Sequence, residues 1–202
     1  MSQLYIISAP SGAGKSSLIN ALIKADVNLQ LSISHTTRPP REGEKNGQHY
    51  YFTSETDFIE MINNRQFLEH AKVFGNYYGT TEQSIRHQLG QGIDCILEID
   101  WQGAKQVRNI FSSVKTIFIL PPSISALQTR LEKRGQDNAE IIQRRMQEAK
   151  SEMSHYPEFD YLVINDHFDD ALLNLQYIFG AQRLKCQKQT FKNKLLLQNL
   201  LN

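Results

Sequence analysis

Residues 5–17 read YIISAPSGAGKSS, an apolar run followed by a glycine-containing turn that ends on Lys15 and Ser16. A lysine, a hydroxyl and two glycines at this spacing suit the cradling of a polyphosphate. Gly12 and Gly14 can turn backbone N–H groups inward toward an anion, and a helix starting behind them adds its positive end at the same point. Lys15 would then reach the β- and γ-phosphates of a nucleoside triphosphate, and Ser16 would ligate Mg²⁺. The candidate loop comprises Ala9, Pro10, Ser11, Gly12, Ala13, Gly14, Lys15, Ser16 and Ser17. Ala9 stands where the pattern G-x-x-x-x-G-K-[ST] has its first glycine.

A second group gathers downstream. Ser34, Arg38 and Arg41 lie within eight residues of one another, and the same stretch continues to Tyr50, Glu69 and the Tyr77-Tyr78-Gly79-Thr80 turn. Arginine forks match phosphate oxygens in pairs, and tyrosine hydroxyls add donors without adding charge. A phosphate loop alone leaves kinases, GTPases and motor ATPases open, so this second group has to decide among them.

The elements that must position these residues can be read from periodicity. Leu4–Ile7 suits a buried strand, and Leu18, Ile19, Leu22 and Ile23 recur at helical spacing, so the loop joins strand to helix. Residues 29–52 pass from period-two alternation into a polar loop around Pro39 and Pro40. Thr56–Asn63 reads as a short helix, and residues 67–81 read as short strands with turns at Gly75 and Gly79. Together, residues 34–81 form a small, partly β insertion.

A helix over roughly 81–89 leads to Ile93–Ile99, a near-continuous apolar strand of the kind buried on both faces of a parallel sheet. Lys115–Leu120 repeats that signature after a helix beginning near Gly103. Residues 124–154 turn helical and charged around a Gly135-Gln136-Asp137 break, with Arg130, Arg134, Arg144 and Arg145 among the charges. Tyr161–Asn165 is a last strand, and residues 169–201 read as a helical tail. Strands alternating with helices predict a doubly wound α/β sheet that binds ligands at the carboxyl ends of its strands, where the loop and Asp100 both fall.

Composition narrows the function classes. The 202 residues carry Lys+Arg 22 against Asp+Glu 21, a formal net charge of +1, so no global field marks a nucleic-acid or anionic-membrane binder. The length allows one well-buried core with excursions. No long uncharged apolar run suits a membrane span, and the first strand begins too near Met1 for a signal peptide, so a cytoplasmic protein is expected. Cys95 and Cys186 read as free thiols. The six histidines lack metal-ligand spacing, and no structural zinc is expected.

The run S-x-x-T-R-x-x-R from Ser34 to Arg41, followed by HYYF, FLEHA, GNYYGT and EIDWQG, resembles the bacterial guanylate kinases over essentially the whole chain. The resemblance implies a P-loop α/β core of residues 1–33, 82–123 and 155–202. It also implies a GMP-binding lobe of residues 34–81, a lid of residues 124–154, and transfer of the ATP γ-phosphoryl group to GMP with Mg²⁺. By the same resemblance Arg38, Arg41, Tyr50 and Tyr78 hold the GMP phosphate, while Ser34, Glu69 and Thr80 or Thr81 read the guanine. Two rival readings accompany it: a non-catalytic guanylate-kinase-like interaction module, and a kinase for another nucleoside monophosphate.

The chemistry of the base supports Glu69 separately. Guanine offers N1–H and N2–H₂ as adjacent donors to a carboxylate, whereas adenine turns a lone pair at N1 toward it. Sites built on such hydrogen bonds discriminate by roughly 10⁴-fold. Asp100 could serve Mg²⁺ through water or the guanine amino group. Arg134 and Arg145, with Arg130 and Arg144 close behind, would stabilise the charge spread over the transferring phosphoryl group. Asn165 and Asp166 resemble the family's adenine-side turn. The acceptor is a phosphate oxygen already deprotonated near neutral pH, so no general base is demanded.

Overall fold

The computed structural model describes residues 2–73, 75–133 and 139–202. Leu4–Ser8 forms β1 and Lys15–Ala25 forms α1. The short strands β2 (Leu29–Leu31), β3 (His35–Thr36) and β4 (Tyr51–Phe52) precede α2 (Glu55–Asn63). Ser54 starts α2 as its cap, accepting the Asp57 N–H at 3.1 Å, and Glu55 and Asp57 add negative charge to the first turn.

The hairpin β5 (Phe67–Val73) and β6 (Asn76–Thr81) is followed by α3 (Glu82–Gly90), β7 (Asp94–Glu98), α4 (Trp101–Ile110) and β8 (Lys115–Leu120). The remainder comprises α5 (Ile124–Lys133), α6 (Ala139–Met153), a 3₁₀ turn at Tyr156–Glu158, β9 (Tyr161–Ile164), α7 (Phe168–Arg183), α8 (Cys186–Lys192) and α9 (Lys194–Leu201).

One sheet is parallel throughout, in the order β2-β7-β1-β8-β9. β1 therefore sits centrally, with β7 on one side and β8 on the other, and the crevice at its carboxyl end is the switch point where doubly wound sheets bind ligands. Both faces of β1 are buried, as its unbroken apolar run requires. Tyr5 and Ile7 pack with Leu18, Leu22, Leu175 and Phe179 toward α1 and α7. Leu4 and Ile6 pack with Ile85, Leu97, Ala104 and Val107 toward α3 and α4. The register Ile7↔Glu98 brings the end of β7 beside the start of the glycine loop.

A clasp ties the opposite end of this sheet. The Asp94 carboxylate accepts the Gln3 N–H at 2.7 Å and the Arg183 Nε–H at 2.8 Å, and Arg183 also donates to Asp26 at 2.5 Å. It links β1, β7 and α7 through one buried acid.

The second sheet lies within residues 35–81, in the order β4-β3-β6-β5. Two expectations are corrected here and in the tail. Gly79 is not a turn but an interior residue of β6; a Cβ there would meet the Phe67 ring at 2.9 Å and the Glu69 carbonyl oxygen at 3.0 Å. The hairpin turns at Gly75, as the sequence leads one to expect, with φ +81°. The single helical tail is three helices, of which only α7 has buried residues.

Candidate active site

The glycine loop takes the form its sequence requires. Gly12 and Gly14 both adopt φ +90°, a conformation that side chains oppose. A Cβ on Gly14 would lie 2.4 Å from Asn165 Nδ2, and one on Gly12 would lie 2.9 Å from Leu131 Cδ2. The loop is thus clamped from outside by Asn165, just after β9, and by α5, and it closes on itself through the Ala13 N–H, which donates to the Pro10 carbonyl at 3.1 Å. Buried Asn165 donates to the Ala13 carbonyl at 2.7 Å, and Arg130 Nη2 donates to the Asn165 carbonyl at 2.9 Å. Arg130 Nη1 is buried with no partner among the described residues. No side chain caps α1, whose first N–H groups open toward the loop.

An acid that sequence reasoning did not single out meets this loop. Glu98, the last residue of β7, accepts the Ser16 hydroxyl at 2.5 Å, and Lys15 Nζ stands 4.0 Å from the same oxygen. Asp100 lies two residues on and is engaged differently. It caps α4, accepting the Gly103 N–H at 2.8 Å and the Gln102 amide at 3.2 Å. The sequence placed an acid at the end of β7; the pairing of β7 with β1 selects Glu98 as the one that touches the loop.

The second sheet holds the other group. Glu69 on β5 is opposite Thr80 on β6 and is buried. Thr80 shares a 2.9 Å hydrogen bond with Ser34, so Ser34, Glu69 and Thr80 converge. Burial pushes the Glu69 carboxyl up to about 7; Thr80 opposes this, and Asp100 adds to it. Glu69 Oε1 has no partner among the described residues. Gly103 backs the acid closely: a Cβ there would lie 2.7 Å from Glu69 Oε2. Thr81 follows on the opposite face of the strand and lines a surface hollow with Arg65, Gln66 and Arg86. Of the two threonines, Thr80 is the one beside the acid.

Arg38 turns Nη2 toward Glu44, 2.8 and 2.9 Å from the two carboxylate oxygens, while Nη1 donates to the Pro39 carbonyl at 2.7 Å and the guanidinium lies 5.5 Å from the Tyr50 ring centroid. Burial acts to raise the Glu44 carboxyl, but the Arg41 N–H and the Arg38 guanidinium outweigh it and hold it below its ordinary value. Glu44 thus holds the Arg38 Nη2 with both oxygens, a place an anionic ligand could take. Tyr50 and Tyr78 meet edge to face at 6.0 Å. Burial first, then the Glu98 charge, pushes the Tyr50 hydroxyl up to about 12, so it stays a donor. The Arg41 side chain is exposed.

Two of the remaining arginines, Arg144 and Arg145, lie on α6. Arg144 pairs with Glu148 at 3.7 Å on the helix surface, Arg145 is its neighbour, and Arg134 falls outside the described residues. Ser17 and Asp166 are exposed, and Ala9 and Pro10 lead from β1 into the loop. Among the described residues no group of three or more His, Cys, Asp or Glu could hold a metal, and no helix is long and apolar enough to cross a membrane.

The family model for guanylate kinase matches residues 1–182. A guanylate kinase of Hahella chejuensis is 56% identical over 200 residues, covering 99% of this chain and 96% of the relative. One from Escherichia coli K12 is 53% identical over 200 residues, covering 98% and 97%. A crystal structure of guanylate kinase from Anaplasma phagocytophilum superimposes with a TM-score of 0.77 at 31% identity, covering 92% of this chain and 88% of that one.

Proposed function

The chain belongs to the guanylate kinase family, and on that premise we propose how its residues divide the reaction. The enzyme transfers the γ-phosphoryl group of ATP to GMP, giving ADP and GDP. The two rival readings, an interaction module and a kinase for another nucleoside monophosphate, are not favoured at this similarity. Residues 9–17 take the donor phosphates, with Lys15 on the β- and γ-phosphates and Arg130 and Asn165 on the donor side of the loop. Arg38, Arg41, Tyr50 and Tyr78 take the GMP phosphate, with Arg38 exchanging Glu44 for it.

Glu69, Ser34 and Thr80 read the guanine. The observation that carries this reading is the buried Glu69 carboxyl, one oxygen of which lacks a partner among the described residues, beside two hydroxyls. A buried acid left in that state is costly unless a ligand completes it. Guanine supplies two adjacent N–H donors and thereby favours the ionised form; adenine does not. GMP binding below about pH 7 therefore draws a proton from Glu69. Asp100, on the cap of α4 one turn before the Gly103 that backs Glu69, stands ready for the guanine amino group or a water of the metal.

The residues at Ser16 fit Mg²⁺, which takes oxygen donors, one or two carboxylates and the substrate phosphates. The Ser16 hydroxyl and the Glu98 carboxylate already converge at 2.5 Å, with Asp100 two residues further along. When bound, the ion neutralises charge developing on the β- and γ-phosphates. The chain's own cations do the rest. Lys15, and the lid arginines Arg134 and Arg145, stabilise the charge spread over the equatorial oxygens, and closure of residues 124–154 excludes water that would otherwise hydrolyse ATP. Both substrates belong to the cytoplasmic nucleotide pool, where we place the enzyme.

A coupled assay of ADP formation tests the division. ADP should accumulate only when GMP is present, and its rate should saturate with GMP. ADP formation indifferent to GMP would refute it.

A further inference from the structure

Trp101 and His155 stack face to face at a place neither nucleotide site accounts for. Their ring centroids are 3.6 Å apart with planes 8° from parallel. Trp101 is the first residue of α4, directly after the capping Asp100, and two residues before Gly103, which backs Glu69. His155 follows the last turn of α6, where its N–H bonds to the Glu152 carbonyl at 3.2 Å. The His155 ring is held from behind: its Nδ1 lies 2.5 Å from Glu158, which pairs at 3.2 Å with Arg108 on α4.

The same turn of α6 leans on the donor loop. Ala149 packs with Leu127 and Leu131, the two side chains that crowd Gly12. One turn on, Glu152 draws on the Ser11 N–H and the Lys15 charge, although burial outweighs both and raises its carboxyl above the ordinary value. The end of α6 therefore touches the donor loop on one side and, through the stack, the acceptor-side acids on the other. Each helix has buried contacts of its own apart from the stack. α4 is anchored by buried Gly103, Ala104 and Val107, and α6 by Ala149. An aromatic pair at a partly exposed seam between two separately anchored helices acts on their spacing rather than on their existence.

We propose that Trp101 and His155 are positioning residues for phosphoryl transfer, forming a joint that fixes the end of α6, and with it the donor loop, against the acceptor-side acids Asp100 and Glu69. The proposal rests on the guanylate kinase reading and deepens it. Each nucleotide keeps its own contacts when the joint is lost, but the two reacting groups lose their alignment. A misplacement of this kind lowers turnover without weakening ground-state binding.

The test compares His155→Ala, His155→Phe and His155→Gln with the wild type in one ADP-forming assay, with thermal melting of each. His155→Ala should lose about tenfold or more in kcat with both KM values within about threefold. His155→Phe, which keeps a flat ring, should recover to within about threefold of wild type, and His155→Gln, which keeps only a hydrogen-bonding group, should stay slow. Trp101 is the only tryptophan of the chain. Its emission should change in His155→Ala and stay near wild type in His155→Phe, an arm that needs no catalysis.

A folded His155→Ala with wild-type kcat, a His155→Gln as fast as His155→Phe, or a kcat loss matching the unfolded fraction would each overturn the joint. A wild type that forms no ADP with GMP would instead overturn the activity reading.

Discussion

Asp94 and Glu69 are both buried carboxylates on strands, 5% and 3% exposed, yet they sit in opposite states. Asp94 has both oxygens engaged, one by the Gln3 N–H and one by Arg183, and it ties β1, β7 and α7 together. Among the described residues Glu69 leans on Thr80 alone and keeps one oxygen unpartnered, and burial pushes its carboxyl up to about 7. Equal burial therefore does not mean equal work. An acid whose partners are built into the chain stabilises the fold, whereas one left incomplete withholds that stability until a ligand arrives.

The sharpest way to separate the two kinds of region is to remove a charge from each. Lys15→Ala, in the donor loop, should lower turnover by about 10³-fold or more because it deletes charge stabilisation in the transition state. Its melting temperature should stay near wild type, since the ammonium is partly open to solvent and stands 4.0 Å from the Glu98 carboxylate. Turnover and melting measured on one preparation check this; wild-type turnover would refute the role of Lys15.

Arg183→Met, in the clasp, should do the reverse. It strands the Asp94 carboxylate in the core and should cost about 3 kcal/mol of unfolding free energy in a urea titration. Activity per folded molecule should not change, because Arg183 lies at the end of the sheet opposite the crevice. A large kcat loss in fully folded Arg183→Met would erase the distinction between the two acids.

The smallest effect follows from the Glu69 shift. A carboxyl raised from 4.5 to about 7 in the folded state binds more protons folded than unfolded across that window, so unfolding free energy must fall as pH rises through it. The total is at most about 3 kcal/mol for the ligand-free enzyme. Glu69→Gln should flatten this component, making the variant the more stable protein above pH 7. Urea titrations of both proteins at several pH values measure the difference; a wild-type advantage that grows with pH would mean that Glu69 is already satisfied.

Much of this was legible in the sequence because it is local. The strand–loop–helix around Lys15, the buried run ending at Glu98-Ile99-Asp100, and the polar excursion holding Arg38 and Glu69 are each contained in a few consecutive residues. What was not legible depends on neighbours in space. Glu98 meets Ser16 only because β7 pairs with β1, and nothing in the order of residues states that pairing. Glu44 meets the Arg38 Nη2 through a loop whose path has no periodicity.

Gly79 reads as a turn because glycine usually marks one, whereas here the crowding of Phe58 and Phe67 in a strand excludes a side chain. Thr80 and Thr81 are equivalent as letters and separate only when strand alternation assigns them faces. The Trp101–His155 stack joins residues more than fifty positions apart across two helices, beyond the reach of any spacing argument.

The central claim is that the incomplete Glu69 carboxyl selects the acceptor. It is tested most directly by initial rates with GMP, AMP and UMP at saturating ATP, run side by side for wild type and Glu69→Gln. The wild type should prefer GMP over AMP by about 10⁴-fold in kcat/KM, with most of that ratio lost in the variant. Comparable rates with AMP in the wild type, or an undiminished preference in Glu69→Gln, would contradict it.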